Sequence, residues 1–278
     1  MSGTLYLVGT PIGNLNDFSP RALETLNAVD FIAAEDTRVS RKLTTHFDIR
    51  KPLVSYHEHN HVSAGQQILQ RLLGGENCAL ITDAGMPAIS DPGEDMVRLC
   101  AENNIPVYTI PGCCALIAGL AVSGLPTGRF TFEGFLSVNR RSRREHLASL
   151  HEEKRTMIFY EAPHKLLATL EDLIQAFGAQ RRISLSREIT KLHEETLRTT
   201  LGEALAHFQA IPPKGEFVLV VEGAPAEKDA ALTLEEGAAM VLRRMEEDGL
   251  KTKEAVRQVA AGTGLAKNEL YDAVLKAR

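Results

Sequence analysis

The chain has 278 residues, of which 44% are hydrophobic and 24% charged, and its formal net charge is −5. This composition is typical of a soluble globular protein with room for two domains of roughly 100 to 150 residues. It argues against a protein that coats nucleic acid by charge alone, and no apolar run approaches the ~18 residues that a membrane span needs.

The cysteines and the start of the chain indicate a cytoplasmic protein. The sequence MSGTLYLVG runs directly into a predicted strand, without the pattern of a signal or transit peptide. The four cysteines (Cys78, Cys100, Cys113 and Cys114) lack metal-ligand spacing. We therefore expect reduced thiols that pack as small hydrophobes, and no bound metal.

The first part of the chain repeats strand, loop and helix, which predicts a doubly wound α/β domain up to about Leu125. Ser19 and Pro20 have the N-cap and first-turn signals of a helix. The loop after the first strand has glycines at 9 and 13 with a proline between them, so it is not a dinucleotide fingerprint, and a P-loop is also absent. Strands are predicted at 5–8, 29–34, 52–56, 79–81 and 106–110.

The segment LITDAGMPAISDPG, residues 80–93, is the first candidate for a ligand site. A buried strand ends near Thr82, and about nine residues then precede Pro92, whereas strand-to-helix connections usually take two to six. Ligands of open parallel sheets bind beyond the carboxyl ends of the strands. We expect Asp91 to be the N-cap of the next helix, and an ordinary connection is the alternative to a ligand site.

Charged residues follow two further strands. Glu35, Asp36 and Arg38 come after the second strand, where they predict either chemistry or a helix cap at Asp36. The alternating histidines of 57–61 follow the third strand. They favour polar contacts to a substrate over zinc, because a Cys ligand and the helical H-E-x-x-H spacing are both absent.

A second α/β unit is predicted to begin at 129–135 and to end with the strand EFVLVVE at 216–222. Between them lies the densest positive charge of the chain, the basic run 139–144, which is either a solvated helix face or a phosphate-binding surface. Residues 223–231 have a linker composition.

The last stretch is predicted to be helical. An apolar stripe at 255–260 is broken by the Gly-Thr-Gly of 262–264 and resumes from Leu265, the outline of a helix-turn-helix with scattered lysines. Such a hairpin either binds nucleic acid or packs against the body of the protein or a second subunit.

A set of motifs now carries a resemblance. VGTPIGNL, AEDTR, SYHEHN, DAGMPAISDPG, IPGCCAL, FEGFL, FYEAPHK, SREITK and KGEFVLVVEG occur in this order. They resemble the ribosomal RNA small subunit methyltransferase I family of the tetrapyrrole methylase superfamily, over about 5–223. Met86 is a departure, since the family usually has Thr there.

The resemblance implies two α/β domains of the tetrapyrrole methylase type, 1–125 and 126–223, with a cofactor cleft between them. A linker and small helical C-terminal domain follow at 224–278. It also implies S-adenosylmethionine as methyl donor and a homodimer. The expected reaction is transfer to the ribose 2′-hydroxyl of a cytidine in the decoding region of 16S rRNA, either free or in the small ribosomal subunit.

The expected site residues fall into three groups. The cofactor group is assigned by analogy with the superfamily, and comprises Pro11, Thr82, Asp83, Ala88, Ile89, Cys114, Ala115, Tyr160, Glu161, Ala162 and Phe217. Candidates for the chemistry are charged or imidazole groups at loop ends, namely Glu35, Asp36, Arg38, His57, Glu161 and Lys191. Candidates for RNA contact are Arg140, Arg141, Arg143, Arg144, Lys251, Lys253 and Lys267.

Two other functions remain open at this stage, a precorrin-type tetrapyrrole methylase and a non-enzymatic RNA-binding module. The basic run and the C-terminal hairpin favour RNA over a macrocycle. The intact acidic and glycine positions of the 80–93 loop favour an enzyme. The sequence does not decide which group is the base.

Overall fold

The structure is a computed structural model that describes residues 2–225 and 232–277. The chain divides into two compact units, Met1–Ala224 and Pro225–Arg278, and each is described by itself. Most of the predicted linker, residues 226–231, lies outside the described residues.

The larger unit contains two five-stranded sheets and eight helices within the described residues. The strands are β1 (Leu5–Val8), β2 (Phe31–Ala34), β3 (Leu53–Ser55), β4 (Cys78–Ile81), β5 (Val107–Ile110), β6 (Phe130–Phe135), β7 (Thr156–Glu161), β8 (Arg182–Arg187), β9 (Glu195–Thr200) and β10 (Phe217–Val221). The helices are α1 (Pro20–Ala28), α2 (Thr37–His46), α3 (His61–Leu73), α4 (Glu94–Glu102), α5 (Ala115–Val122), α6 (Arg140–Ser149), α7 (Leu166–Phe177) and α8 (Leu201–Ala210).

The first sheet has the order β3-β2-β4-β1-β5, and its strands pair in parallel. The predicted parallel sheet is confirmed. Its central strands β2 and β4 are buried along their whole length because an apolar cluster covers each face. The carboxyl ends of β1, β4 and β5 are therefore neighbours, and the loops that follow them meet at one edge.

The second sheet has the order β6-β7-β10-β8-β9 and is mixed, since β6 and β7 are parallel and the other pairs antiparallel. Its main core lies under α6, α7 and α8, and its other face packs on α5. A Cβ at Gly119 of α5 would lie 2.7 Å from Val218 Cγ1, so only glycine permits this approach. The edge strand β9 is not among the predicted strands, because its half-exposed polar residues give little apolar signal.

Helix starts follow the sequence signals with one exception. The Ser19 side chain accepts a hydrogen bond from Ala22 N–H and caps α1, and the Asp36 carboxylate caps α2 through Arg38 N–H. The expectation for Asp91 was wrong. Helix α4 begins at Glu94 with Gly93 as N-cap at φ 144°, which leaves the Asp91 carboxyl for another role.

The smaller unit consists, in its described part, of three helices, α9 (Leu234–Asp248), α10 (Thr252–Thr263) and α11 (Lys267–Lys276). They bury a shared apolar core that includes Val241, Val256 and Val274. Gly264 ends α10 in the left-handed conformation, which produces the predicted break between the last two helices.

None of the described helices is long and apolar enough to cross a membrane. The domain boundaries expected after 125 and 223 stay predictions.

Candidate active site

A pocket of about 300 Å³ lies between the two sheets, where loops of the first sheet face strands of the second. We call it the cleft pocket. From the first half of the chain it takes Ile12, Ala84, Gly85, Met86, Ile89, Ser90, Asp91, Cys114 and Ala115. From the second it takes Phe135, Tyr160, Glu161, Ala162, Glu188, Ile189, Lys191, Glu216, Phe217 and Val218.

The loop between β4 and α4 forms one wall of the pocket in a conformation that costs backbone energy. Ala88 and Ser90 have φ of 68° and 65°, a left-handed region that side-chain-bearing residues rarely adopt. Each such residue costs on the order of 1 kcal/mol, and such strain clusters at ligand sites.

Neighbouring loops hold this strained loop in place. Thr10 and Gly85 exchange two backbone hydrogen bonds, with N···O distances of 2.9 and 3.2 Å. The loop after β1 is held in turn against the loop after β5. A Cβ on Gly9 would lie 2.6 Å from Gly112 Cα, so both positions require glycine.

The opposite wall is aromatic. The Tyr160 ring makes edge contacts with Phe132 and Phe135, with centroid distances of 5.0 and 5.6 Å. The Tyr160 hydroxyl accepts a hydrogen bond from Leu116 N–H at 3.0 Å, and burial raises the pKa of this phenol to about 12. Tyr160 therefore stays neutral and joins the second sheet to the start of α5.

Glu161 is a buried carboxylate in the same wall, with only 3% of the residue exposed. Its Oε1 accepts a hydrogen bond from Ala162 N–H at 2.8 Å, and its Oε2 accepts one from the Thr169 hydroxyl. On the far side of the pocket mouth, Lys191 Nζ pairs with Glu188 Oε1 at 2.9 Å, and this bond lowers the pKa of Glu188.

A second cavity, of about 630 Å³, adjoins the first and shares Ser90 and Asp91 with it. We call it the acidic pocket because carboxylates and imidazoles dominate its lining. The lining comprises Glu35, Tyr56, His57, Glu58, His59, His61, Ala88, Ser90, Asp91, Pro92, Gly93, Glu94 and Asp95.

Asp91 has the most perturbed carboxyl of this region. Burial, followed by repulsion from Glu35 and Asp83, raises its pKa to about 7. The pKa of Glu35 is also raised, mainly by burial, and Asp83 N–H donates to Glu35 Oε2 at 3.3 Å. The Asp91 carboxyl therefore titrates near neutral pH between the two pockets.

Asp36 and Arg38 differ from these groups. They form an ion pair of 2.7 Å, in which hydrogen bonds from Arg38 lower the Asp36 pKa to about 2. The Arg38 side chain is 89% exposed. Asp36 is occupied as the cap of α2, and this matches the cap alternative.

The structure brings most of the predicted site residues to one of the two pockets. Ile89, Cys114, Ala115, Tyr160, Glu161, Ala162, Lys191 and Phe217 line the cleft pocket, and Glu35, His57 and Ala88 line the acidic pocket. Pro11, Thr82 and Asp83 lie outside both linings, although Thr10 Oγ1 holds the Thr82 carbonyl at 3.3 Å. The sequence reasoning missed the chemical role open to Asp91, because a D-P-G sequence is also a helix-start signal.

The basic run divides into outward and inward residues. Arg140 and Arg144 are exposed and make no ion pair with any residue that the structure describes, and Arg141 pairs with Glu145. Arg143 instead is buried against Asp172 and Thr169. The phosphate contact predicted for Arg143 does not fit this position and is corrected here.

The lysines expected to contact RNA in the C-terminal unit (Lys251, Lys253 and Lys267) are exposed. Their surroundings are not basic, because residues 232–277 contain seven Lys and Arg against eight Asp and Glu. Arg243 and Arg257 are each paired with a glutamate. The charge of this unit gives less support for phosphate binding than the outer face of α6 does.

Comparison with known proteins decides the family. Residues 4–205 match the model of the tetrapyrrole (corrin/porphyrin) methylases. A ribosomal RNA small subunit methyltransferase I from a Synechocystis strain is 51% identical over 99% of this chain and 98% of its own length. Proteins with the same description from Halalkalibacterium halodurans and Escherichia coli O157:H7 are 45% and 43% identical, and cover 97% and 99% of the chain and 94% and 95% of their own lengths. The chain belongs to the ribosomal RNA small subunit methyltransferase I family.

Solved structures confirm that this family has the tetrapyrrole methylase fold. A diphthine synthase superposes with a TM-score of 0.61 at 14% identity, over 80% of this chain and 90% of that one. A uroporphyrin-III C-methyltransferase from Thermus thermophilus gives 0.56 at 18%, over 79% and 94%. At these identities the likeness shows the fold alone.

Proposed function

We propose that the protein is an S-adenosylmethionine-dependent methyltransferase that 2′-O-methylates a cytidine in the decoding region of 16S rRNA. One observation carries the proposal. Family motifs from five separate loops and strands converge on the cleft pocket, through residues such as Ile12, Ile89, Ala115, Glu161 and Phe217. The names of the curated relatives support ribosomal RNA as the substrate.

The cleft pocket fits S-adenosylmethionine in size and in the kinds of group it presents. Its volume of about 300 Å³ is at the lower end of small-molecule sites. Ile12, Met86, Phe135 and Phe217 offer apolar surface for an adenine ring. A Thermus thermophilus structure of this fold was solved with the demethylated product, S-adenosylhomocysteine.

The charged groups of the pocket also complement the cofactor. The start of α5 has no side-chain cap at Cys114, so free backbone N–H groups and the nearby Lys191 suit the amino-acid carboxylate. Carboxylates such as Glu161 and Asp91 suit the amino group and the sulfonium. The proposed holding residues are Ile89, Cys114, Ala115, Tyr160, Glu161, Ala162 and Phe217.

When bound, S-adenosylmethionine supplies an electrophilic methyl group. A new bond forms between the ribose 2′-oxygen and this methyl carbon while the carbon–sulfur bond breaks, so the hydroxyl proton must pass to a base. We propose Asp91 as this base, since it borders both pockets and its pKa of about 7 suits proton transfer at neutral pH. In this account Glu35 and His57 face the acceptor ribose from the acidic pocket.

We propose that the outer face of α6 binds RNA phosphates through Arg140 and Arg144, with Arg141 beside them. Helix α6 directly follows the β6 segment that contributes Phe135 to the cleft pocket. A tetrapyrrole substrate has less support, because the structures that share this fold and act on such compounds are only distantly similar.

We further propose a cytoplasmic homodimer. Helix α5 is apolar all round, yet Ile117 and Val122 on its outer side are 48% and 41% exposed. A second copy of the chain would cover this face. Light scattering should give a dimer mass for the wild type and a monomer mass for Ile117→Glu, and a monomeric wild type would contradict the proposal.

Methyl transfer tests the central function. Purified protein, labelled S-adenosylmethionine and unmodified small ribosomal subunits are incubated, and the rRNA is then mapped for 2′-O-methylation. We expect one labelled cytidine in the decoding region. Label in a tetrapyrrole acid but not in RNA would contradict the proposal, and so would label on a base rather than a ribose.

A further inference from the structure

A buried polar chain runs from α6 to the wall of the cleft pocket. Arg143 donates from Nη2 to Thr169 Oγ1 at 2.8 Å, and from Nε to Asp172 Oδ2 at 2.5 Å. The Thr169 hydroxyl donates in turn to Glu161 Oε2. Thr169 is completely buried, and only 10% of the Arg143 side chain is exposed.

The direction of this chain is fixed. A hydroxyl has one proton, and Arg143 can only donate, so Thr169 must accept from Arg143 and give its proton to Glu161. Glu161 forms no direct ion pair with any residue in the described parts of the chain, so Arg143 is the cation that reaches it through one hydroxyl. Cooperative polarisation strengthens such a chain at low dielectric.

The chain also fixes the shape of the pocket wall. Glu161 Oε2 is held by Thr169, and its Oε1 is held by Ala162 N–H at 2.8 Å. A carboxylate has about four acceptor sites, so those not used by these two donors remain for a ligand in the pocket that Glu161 lines.

We propose that Arg143 and Thr169 are positioning residues, which hold the Glu161 carboxylate in the orientation that binds the methyl donor. This inference rests on the proposed function. It also makes α6 a two-sided helix, whose outer arginines serve RNA while its inner arginine orders the cofactor site. Arg143 thus acts on the methyl donor and not on phosphate.

Isothermal titration with S-adenosylmethionine tests the proposal, together with steady-state methyl transfer to small subunits. Thr169→Val removes the hydroxyl at nearly constant shape, and we expect the dissociation constant for S-adenosylmethionine to rise about tenfold or more. Thr169→Ser keeps the hydroxyl and should bind within roughly threefold of wild type. KM for the small subunit should stay unchanged in both.

The matched control is Thr156→Val, at the other end of β7. Thr156 is also buried, but its hydroxyl donates to Pro126 carbonyl oxygen at 2.6 Å, away from the pocket. This variant should lose thermal stability and keep wild-type affinity for S-adenosylmethionine. An affinity loss equal to that of Thr169→Val would reduce the effect to general destabilisation and overturn the proposal.

Other outcomes are equally decisive. Wild-type affinity in Thr169→Val, or an equal loss in Thr169→Ser, would overturn the role of the hydroxyl. If Thr169→Val does not fold, Arg143→Lys decides, since one ammonium cannot reproduce the fork to Thr169 and Asp172. We expect it to weaken binding severalfold, and unchanged binding overturns the proposal. A wild type that binds the cofactor and methylates RNA alongside an unaffected Thr169→Val refutes this inference alone, whereas a wild type that does neither refutes the proposed function as well.

Discussion

The cleft pocket and the acidic pocket share the wall formed by Ser90 and Asp91, yet they are suited to different chemistry. The cleft pocket has apolar and aromatic sides with a few separately held charges, such as the Lys191–Glu188 pair. The acidic pocket concentrates carboxylates that raise one another's pKa. A site that binds a cationic donor and a site that accepts a proton can therefore lie on the two sides of one strained loop.

Blocking the cleft pocket should have the largest effect. Ala115→Phe places a ring at the start of α5, where Ala115 lines the pocket, and we expect S-adenosylmethionine binding to fall below detection in calorimetry. The control Ala168→Phe, on the exposed side of α7, should bind as wild type does. Normal binding by Ala115→Phe would move the cofactor out of this pocket.

Removing the shared carboxyl should separate binding from chemistry. For Asp91→Asn we expect kcat to fall roughly 10²- to 10⁴-fold, with little change in the dissociation constant of the cofactor. In the wild type, kcat should rise with pH through about 7, because only the ionised carboxylate accepts a proton. This ascending limb should be absent from the residual activity of Asp91→Asn. If the limb persists, another group is the base.

Altering the RNA surface should leave both pockets intact. Replacing Arg140 and Arg144 together by alanine should raise KM for the small subunit about tenfold at moderate salt, and make the salt dependence of binding shallower by roughly one unit per lost phosphate contact. The affinity for S-adenosylmethionine should not change. The same double substitution at Lys251 and Lys253 tests whether the C-terminal unit contributes. A larger effect there would reverse our ranking of the two surfaces.

The smallest expected effect is a shift of the pH profile. Glu35→Gln removes the negative charge that contributes most to the repulsion felt by Asp91, and so lowers the pKa of Asp91. The ascending limb of kcat should move to lower pH, so that activity at pH 6 rises relative to wild type. A fall in kcat as deep as that of Asp91→Asn would instead identify Glu35 as the base.

Sequence reasoning predicted the parallel first sheet because its strands are uninterrupted apolar runs between glycine and proline signals. It also predicted most of the cleft lining, because the family motifs include Cys114–Ala115 and Tyr160–Ala162. Local pattern was insufficient where a role depends on a distant neighbour. The pKa of Asp91 depends on Glu35, and Arg143 looks like its exposed neighbours until Asp172 and Thr169 of α7 are placed beside it.

The position of the bound cofactor tests the account most directly. A crystal structure of the protein with S-adenosylhomocysteine should show it in the cleft pocket, against Cys114–Ala115 on one side and Tyr160–Ala162 on the other, with the sulfur directed toward Asp91. Electron density for the ligand in the acidic pocket, or on a surface outside both pockets, would contradict the account.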